Sequence, residues 1–426
     1  MISLELNNKI NFYLTSLLAF FVPIQSKLLP VLIILLILNW GINYPKIKLS
    51  FKNLVKNYAL LSLIVLYLFY VIGMLNTENL KFGLRVLETK LSLLVIPLVY
   101  SAYIELTKQK IKQYLLLFVY GCLTYALICF CYATYAFFKP VYTDLYGVMY
   151  NLGFNYFYYN YLSINFHPSY SAMYSVFALL IITVGIKRKI VTLNWKIILS
   201  VTLLVVFILF LSSKAGWLTI FLLVCYVFVV LILFNKTRQV LYFIAPILVL
   251  FVILNIFLAP KYAQRIPNVE EVYDAFVGKD KDNKKVETGS SSSSARVFIW
   301  KASMELVSEN LLKGLGTGDG KDKLIEKYQE LGMTNEYKHE LNSHNQYLTT
   351  SLSLGMIGLI ILFFILFYPL IMSVRNKDIL LCGFIFLLII NFMFESVIET
   401  RAGIIFFTFF YTLLYSNFEK INFRKQ

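Results

Sequence analysis

Residues 348–372, LTTSLSLGMIGLIILFFILFYPLIM, form a long apolar run without a single charged residue. Further runs of this kind lie at 60–75, 114–135 and 241–258. A hydrocarbon core of about 30 Å requires a helix of about 20 mostly apolar residues. Each run therefore predicts a membrane-spanning helix, and together they predict an all-α polytopic integral membrane protein.

The composition of the chain supports this interpretation. Of its 426 residues, 59% are hydrophobic, 17% aromatic and 15% charged, and the mean hydropathy is +0.71. Soluble proteins carry about 25% charged residues, so this chain has more apolar surface than a soluble fold can bury. The five cysteines lie within hydrophobic runs without metal-site spacing, which is typical of small buried residues. No small-residue cleavage site follows the first hydrophobic stretch, so no cleavable signal peptide is predicted.

About twelve spans are expected from the apolar runs. They are 11–24, 28–42, 58–75, 91–106, 114–138, 167–186, 196–211, 217–234, 241–258, 345–372, 379–394 and 404–416. The first two are short, so one span fewer or one more is also compatible with the pattern.

The placement of basic residues predicts the orientation. The net charge of +16 comes from short clusters at alternate loops, an arrangement that favours anionic lipid over nucleic acid as the partner. The loop that holds Lys81, Arg85 and Lys90 is the exception. With both termini in the cytoplasm, the chain divides into spans within 1–258, a large periplasmic loop at 259–344, and three spans with a cytoplasmic tail at 345–426.

The large loop changes character along its length. Residues 279–294 are rich in Lys, Asp and Ser and predict a mobile linker. An amphipathic helix at the membrane surface is predicted from Ala295 onward, because apolar residues recur there at helical spacing. These residues are Val297, Trp300, Met304 and Val307. A glycine-rich turn region at 314–320 and a second short helix at 323–331 follow.

A second outer stretch, 141–166, is dense in tyrosine. Tyrosine rings can stack on the faces of sugars, but tyrosines at membrane edges usually form an interfacial belt. The belt is the favoured interpretation.

Three ionisable residues beside hydrophobic runs are candidates for chemistry, because burying such groups is costly unless they pair or function. Lys214 lies in a very short connection between spans, and is either a snorkelling lysine or a ligand-binding cation. Arg296 lies at the start of the amphipathic helix, where its charge opposes the helix dipole. An anionic ligand shared with the helix end would resolve that conflict. An exposed arginine is the alternative.

His344 lies where the large loop enters the span at 345–372. A helix N-terminus disfavours the imidazolium, so a neutral ring there can accept a proton near pH 7. Asn342, Asn345 and Gln346 surround it and are costly at the membrane edge without partners. The alternative is an interfacial histidine capped by water. The glycine-rich stretch before Lys321 lacks the spacing of a phosphate-binding loop, and no Ser/His/Asp set or zinc site is visible.

The second half of the chain resembles the O-antigen ligase and O-antigen polymerase family of bacterial membrane glycosyltransferases. The motifs that carry the resemblance are SSKAG at 212–216, ARVFIWKA at 295–302, GLGTG at 314–318, NSHNQYL at 342–348, GMIG at 355–358 and ESVIETRAG at 395–403. The first half is similar only in hydropathy.

The resemblance implies a GT-C-like membrane enzyme in the bacterial inner membrane, with its active site facing the periplasm. Such an enzyme transfers a glycan from an undecaprenyl-diphosphate carrier to a hydroxyl of a glycan, a lipid A core or a protein. Neither a metal nor another cofactor is expected. His344 would be the catalytic base, and Arg296 and Lys214 would bind the diphosphate. The family has arginine at the position of Lys214, and lysine lacks the two-pronged fork of arginine.

Further substrate contacts are possible at Arg401, Arg85 and Asn345. Glu395 and Glu399 are weaker candidates, and a structural ion pair is favoured for them as for Arg85 and Arg401. A repeat-unit polymerase is the alternative within the same class. A transporter or flippase is disfavoured, because the charges cluster in loops and at span ends rather than at mid-membrane.

Overall fold

The computed structural model describes residues 4–101, 107–139, 141–143, 147–149, 156–212, 218 and 292–423. Apart from Leu218, the predicted spans at 217–234 and 241–258 lie outside these residues, as does the part of the large loop before residue 292.

Helices dominate the part of the chain before residue 213. They are α1 Leu4–Phe21, α2 Leu29–Gly41, α3 Tyr44–Leu54, α4 Tyr58–Gly73, α5 Leu80–Lys90, α6 Ser92–Ser101, α7 Lys108–Phe138, α8 Pro168–Lys187 and α9 Trp195–Leu211. A small antiparallel hairpin, β1 Val141–Thr143 and β2 Gly147–Met149, pairs Val141 with Met149. This hairpin is a departure from the all-α prediction and lies in the tyrosine-rich stretch.

The described residues from 292 onward are also helical. Three helices belong to the large loop: α10 Ser292–Glu309, α11 Gly320–Glu330 and α12 Thr334–Lys338. Three more follow it: α13 Gln346–Arg375, α14 Ile379–Phe394 and α15 Arg401–Phe423. Short 3-10 turns lie at Met74–Asn76, after α4, and at Val397–Glu399, between α14 and α15.

Every predicted span that falls within the described residues coincides with a helix. Four of these helices are long and apolar enough to cross a membrane: Tyr58–Asn76, Lys108–Phe138, Pro168–Lys187 and Gln346–Arg375. A bent pair, Leu29–Gly41 with Lys46–Leu54, could form a fifth span, and Trp195–Leu211, Ile379–Phe394 and Arg401–Ser416 are shorter apolar helices. Apart from the small hairpin, the described residues are helical, and their apolar helices are those of a multi-pass membrane protein.

Two segments of the first half differ from the expected loops and spans. The basic segment after α2, expected as a plain loop, forms α3, in which Lys46 is buried and donates hydrogen bonds to Asn7 and Asn8. The expected span at 91–106 is preceded by an amphipathic helix, α5, and α6 within it contains Pro97. The first difference arises because Lys46 finds hydrogen-bond partners inside the protein.

The described helices of the large loop have a small hydrophobic core of their own. Its buried members are Ile299, Ala302, Leu306, Leu324, Tyr328, Met333 and Leu352. The predicted apolar face of α10 is confirmed in part: Trp300 and Val307 pack against this core, whereas Met304 is 43% exposed. The buried apolar members of the helix are Ile299, Ala302 and Leu306. The helix also begins at Ser292, inside the serine run that was expected to be linker.

The glycine-rich stretch joins this loop to the membrane helices. Leu315 N–H donates to Leu352 O at 2.7 Å, and Thr317 Oγ1 donates to Tyr70 O at 2.6 Å. Gly314 and Gly355 both have positive φ, and a Cβ on Gly314 would lie 2.5 Å from Gly355 N. The two glycines therefore permit a backbone approach that other residues would block.

Candidate active site

The carboxylate of Glu395 is the point at which four side chains from distant parts of the sequence meet. Arg296 Nη2 lies 3.2 Å from Oε1, and Ser169 Oγ donates to Oε1 at 2.9 Å. His167 Nδ1 lies 3.7 Å from Oε1, and His344 Nδ1 lies 3.5 Å from Oε2. Two imidazoles, a guanidinium and a hydroxyl thus surround one carboxylate, and we call these five residues the Glu395 cluster.

Helix ends position each member of the Glu395 cluster. Glu395 follows the last residue of α14, and Ser169 lies in the first turn of α8, with His167 as its N-cap residue. Arg296 lies in the second turn of α10, not at its first residue as predicted. His344 precedes Asn345, the N-cap residue of α13. Polar groups gather here because helix ends leave backbone groups that need partners.

The segment that carries His344 is held in an unusual conformation. His344 has φ of +46°, and its backbone N–H donates to Asn342 Oδ1 at 3.0 Å. Trp300 Nε1 of α10 donates to Ser343 O at 3.0 Å. Asn345 Oδ1 accepts from Leu348 N at 3.1 Å, which caps α13. The histidine is therefore fixed by its neighbours on both sides, and the Asn345 side chain serves as a helix cap.

A chain of hydroxyls ties the His344 segment to the residue after Glu395. Ser343 Oγ and Thr349 Oγ1 are 2.5 Å apart, and Thr349 Oγ1 and Ser396 Oγ are 2.8 Å apart. Since Ser396 follows Glu395 and Ser343 precedes His344, these contacts fix the position of the Glu395 segment relative to the His344 segment.

Opposing effects set the charge of Glu395. Burial alone raises the pKa of this carboxyl. The contact with His344, the positive charge that His167 carries when it is protonated at acid pH, and the charge of Arg296 together outweigh burial and leave the pKa below its ordinary value. The carboxylate is therefore ionised at neutral pH. Burial lowers the pKa of His167 against the pull of Glu395, with His344 and Arg296 adding to the decrease, so that ring is neutral at pH 7.

A second buried ion pair lies nearby. Lys90 Nζ, fully buried, contacts Glu399 Oε1 at 2.6 Å and lies 4.5 Å from the centroid of the Tyr70 ring. Gln346 Nε2 donates to the same Oε1 at 3.3 Å, and Gln346 Oε1 accepts from Ile398 N at 2.7 Å. Lys90, one of the lysines that departed from the charge pattern, therefore has a structural partner within the protein.

The other predicted residues lie in different places. Arg401 Nη2 contacts Glu88 at 2.9 Å, and both side chains are more than half exposed. Arg85 is exposed and lines a cavity next to the His344 segment. Lys214 lies outside the described residues. Just before it, Ser212 Oγ donates to Tyr158 Oη at 3.3 Å, and the adjacent Tyr159 Oη lies 3.3 Å from His167 Nε2. The end of α9 thus reaches the edge of the Glu395 cluster.

Sequence reasoning missed the central role of Glu395 and the participation of His167 and Ser169. Glu395 was taken for a residue of an ordinary ion pair, and its partners lie 99 and 226 residues away in hydrogen bonds that no local pattern reveals. One signal was available for His167, since the chain has only 3 histidines and this one begins a predicted span after a polar stretch.

The histidines and carboxylate do not form a metal site. Arg296 occupies one side of the carboxylate. Among the described residues, no group of three or more His, Cys, Asp or Glu side chains has an arrangement that could hold a metal ion.

Comparison with known proteins agrees with the motifs. Residues 199–363 match a family model described as O-antigen ligase. This match confirms the resemblance that the sequence motifs indicated. The matched segment includes Arg296 and His344. No curated protein matches the chain.

Proposed function

We propose that this chain, whose residues 199–363 belong to the O-antigen ligase family, transfers a glycan from undecaprenyl diphosphate to an acceptor hydroxyl. The observation that carries the proposal is the convergence of Arg296, His344 and Glu395 at one cluster. Transfer of this kind needs a base for the acceptor and a cation for the leaving diphosphate. In the Glu395 cluster, His344 could act as the base and Arg296 is the cation, and both contact the carboxylate of Glu395.

His344 is the proposed base. Its Nδ1 lies 3.5 Å from Glu395 Oε2 without a hydrogen bond in this structure. With substrate bound, a shortened Nδ1–H contact with the carboxylate would leave Nε2 free to accept the proton of the acceptor hydroxyl. Glu395 then acts as a positioning residue, because it fixes the tautomer and stabilises the imidazolium that forms. General base catalysis of this kind contributes about 10²–10⁴-fold to a rate.

Arg296 is the proposed diphosphate ligand. The guanidinium carries five N–H donors, and a single contact with Glu395 leaves donors for phosphate oxygens. Negative charge develops on the diphosphate as the sugar–oxygen bond breaks, and a fixed cation stabilises it. Lys214 would add a second cation, since Ser212, two positions before it, donates to Tyr158, and the neighbouring Tyr159 contacts His167.

The proposed orientation places the cluster on the periplasmic side of the bacterial inner membrane. The distribution of basic residues puts the region 259–344 outside, and the match to the family supports an acceptor and a lipid-linked glycan as partners. The division into spans within 1–258, an outer loop at 259–344 and spans with a tail at 345–426 is part of the same proposal.

Reconstitution of the purified protein tests this function. The protein is supplied with an undecaprenyl-diphosphate-linked glycan and, separately, lipid A core, peptide and free glycan acceptors, and each product is separated by mass. We expect one acceptor to be modified and undecaprenyl diphosphate to be released. Absence of transfer to every acceptor would reject the proposal.

A matched pair of arginine variants ties the activity to the cluster. Arg296→Ala should lower the transfer rate about 100-fold, the effect of removing one fixed charge-stabilising donor. Arg375→Ala removes an exposed arginine at the opposite end of α13 and should leave the rate unchanged. Equal rates for both variants would argue against Arg296 as a diphosphate ligand.

A further inference from the structure

A cavity of about 290 Å³ lies next to the His344 segment without including the Glu395 cluster in its lining. On one side, Phe82, Arg85, Val86 and Thr89 line it. These residues are spaced as one face of a helix, so α5 turns a single continuous face toward the cavity. The volume is close to the lower end of ligand pockets, about 300 Å³.

Helices α11 and α13 provide the opposite walls. Gly320, Lys321 and Leu324 line the cavity from α11, and Thr349, Leu352 and Ser353 line it from α13. The lining contains both hydroxyl side chains, such as Thr89, Thr349 and Ser353, and apolar side chains, such as Phe82 and Leu352. Sugars have this mixture of hydroxyl groups and apolar ring faces, so the lining suits a carbohydrate better than a wholly apolar ligand.

Asn342 and Ser343 connect the cavity to the proposed base. Both line the cavity, and His344 follows directly in the chain. Consecutive Cα atoms are about 3.8 Å apart, so the Ser343 wall of the cavity lies one residue from the His344 backbone. The Asn342 side chain also accepts the His344 N–H. A ligand that contacts Asn342 would therefore touch the same group that holds His344 in place.

The charges around the cavity leave one cation unpaired. Glu399 is paired with Lys90 at 2.6 Å, and Lys321 lies 3.5 Å from Glu340. Within the described part of the chain, Arg85 has no ion-pair partner. The cavity therefore has hydroxyl and apolar groups that can contact a sugar. It also has the Arg85 guanidinium, which can bind a carboxylate or a phosphate.

We infer that this cavity binds the acceptor sugar and that Arg85 holds an anionic group on it. The inference rests on the proposed function, in which the Glu395 cluster holds the diphosphate of the donor. In an in-line displacement the acceptor hydroxyl attacks from the side opposite the leaving group. The cavity is lined by the two residues that precede the proposed base and by neither Arg296 nor Glu395, so an acceptor there would be separate from the diphosphate ligand.

Binding measurements on the purified chain test the subsite without turnover. Three disaccharides are titrated by calorimetry, ending in glucuronate, in glucose 6-phosphate or in neutral glucose. Because a hydrogen bond to a charged group is worth about a factor of ten or more in affinity, at least one anionic sugar should bind about tenfold more tightly than the neutral one. Comparison of the two anionic disaccharides shows whether the cavity prefers a carboxylate or a phosphate. Equal affinity for all three sugars would overturn the inference.

Two variants on α5 assign the preference to Arg85. Arg85→Gln should abolish the preference for the anionic sugar and leave the affinity for the neutral sugar unchanged, whereas Arg85→Lys should retain part of it. Lys81→Gln removes an exposed charge from the same helix, outside the cavity lining, and should have no effect. A preference that survives Arg85→Gln would overturn the role of Arg85.

Transfer assays with the same sugars separate the two proposals. If the chain binds the anionic sugar preferentially but transfers to no acceptor, the proposed function fails, and the cavity is an anionic-sugar site but not an acceptor subsite. If it transfers equally well to anionic and neutral acceptors, the proposed function stands and the subsite fails.

Discussion

His344 Nδ1 lies 3.5 Å from Oε2 of Glu395, although the two residues lie on different helix ends, one before α13 and the other after α14. The carboxylate also contacts Arg296 at 3.2 Å. One buried acid therefore orients both the proposed base and the proposed diphosphate ligand. Replacement of Glu395 should therefore affect both the proposed base, His344, and the proposed diphosphate ligand, Arg296.

Glu395→Gln should lower kcat about 100-fold while the protein still folds, because the amide keeps the shape but lacks the charge that stabilises the imidazolium. The pH profile of kcat should also move, since the group that interacts with the base has changed. A purely structural role would lower the yield of folded protein and leave the pH profile in place. An unchanged profile together with wild-type kcat would contradict the positioning role.

The stability of the protein should depend on Glu395 at acid pH. Because the folded pKa of this carboxyl is below its ordinary value of 4.5, folding favours the ionised form. Its stabilisation is present above pH 4.5 and is lost as the pH falls through the folded pKa. The difference in Tm between wild type and Glu395→Gln should therefore shrink as the pH is lowered below this value. A difference that stays constant over the acid range would count against this interpretation.

Much of the fold could be predicted from the sequence, because the length of an apolar run is set by the thickness of the bilayer. The helices α4, α8, α13 and α14 were predicted on this basis. The helix α3 was not predicted and the face of α10 was predicted only in part, because their side chains pack against the protein rather than lipid. Lys46 and Met304 show the difference, the first buried where solvent was expected and the second exposed where core was expected.

Two of the candidate site residues could be named from the sequence, and their roles stay predictions. Motif resemblance indicated His344 and Arg296, and the structure brings both to one carboxylate. The role of Glu395 could not be predicted, because it depends on how α8, α10, α13 and α14 pack against each other. Asn345 shows the reverse case, since a polar residue that looked available for substrate caps a helix.

The contact between Gly314 and Gly355 should be essential for joining the large loop to α13. In Gly314→Ala, the new Cβ would lie 2.5 Å from Gly355 N, and φ is +69°. Gly332→Ala is the matched control, because φ is +70° but nothing lies within 4 Å. Both variants carry about 1–2 kcal/mol of backbone strain. In chemical unfolding, only Gly314→Ala should lose clearly more free energy of unfolding than this strain. Equal losses in the two variants would show that the close approach of Gly314 to Gly355 is unimportant.

In the buried pair of Lys90 and Glu399, each charge should stabilise the protein mainly by neutralising the other. Lys90→Met leaves Glu399 without its cation, and removing one partner of a buried pair costs about 3–5 kcal/mol. Because the Glu399 side chain is 21% exposed, we expect the lower end, about 3 kcal/mol. Adding Glu399→Gln should recover part of the loss in the free energy of unfolding. A Lys90→Met protein as stable as wild type would refute this role.

Single-turnover transfer by the His344→Ala variant tests the central claim most directly. Purified protein is loaded with carrier-linked glycan, mixed with acceptor, and the rate of product formation is compared with wild type and with His339→Ala, a variant of an exposed histidine outside the Glu395 cluster. We expect His344→Ala to be slower by about 10²–10⁴-fold with donor binding retained, and His339→Ala to match wild type. A wild-type rate for His344→Ala would contradict the assignment of His344 as the base.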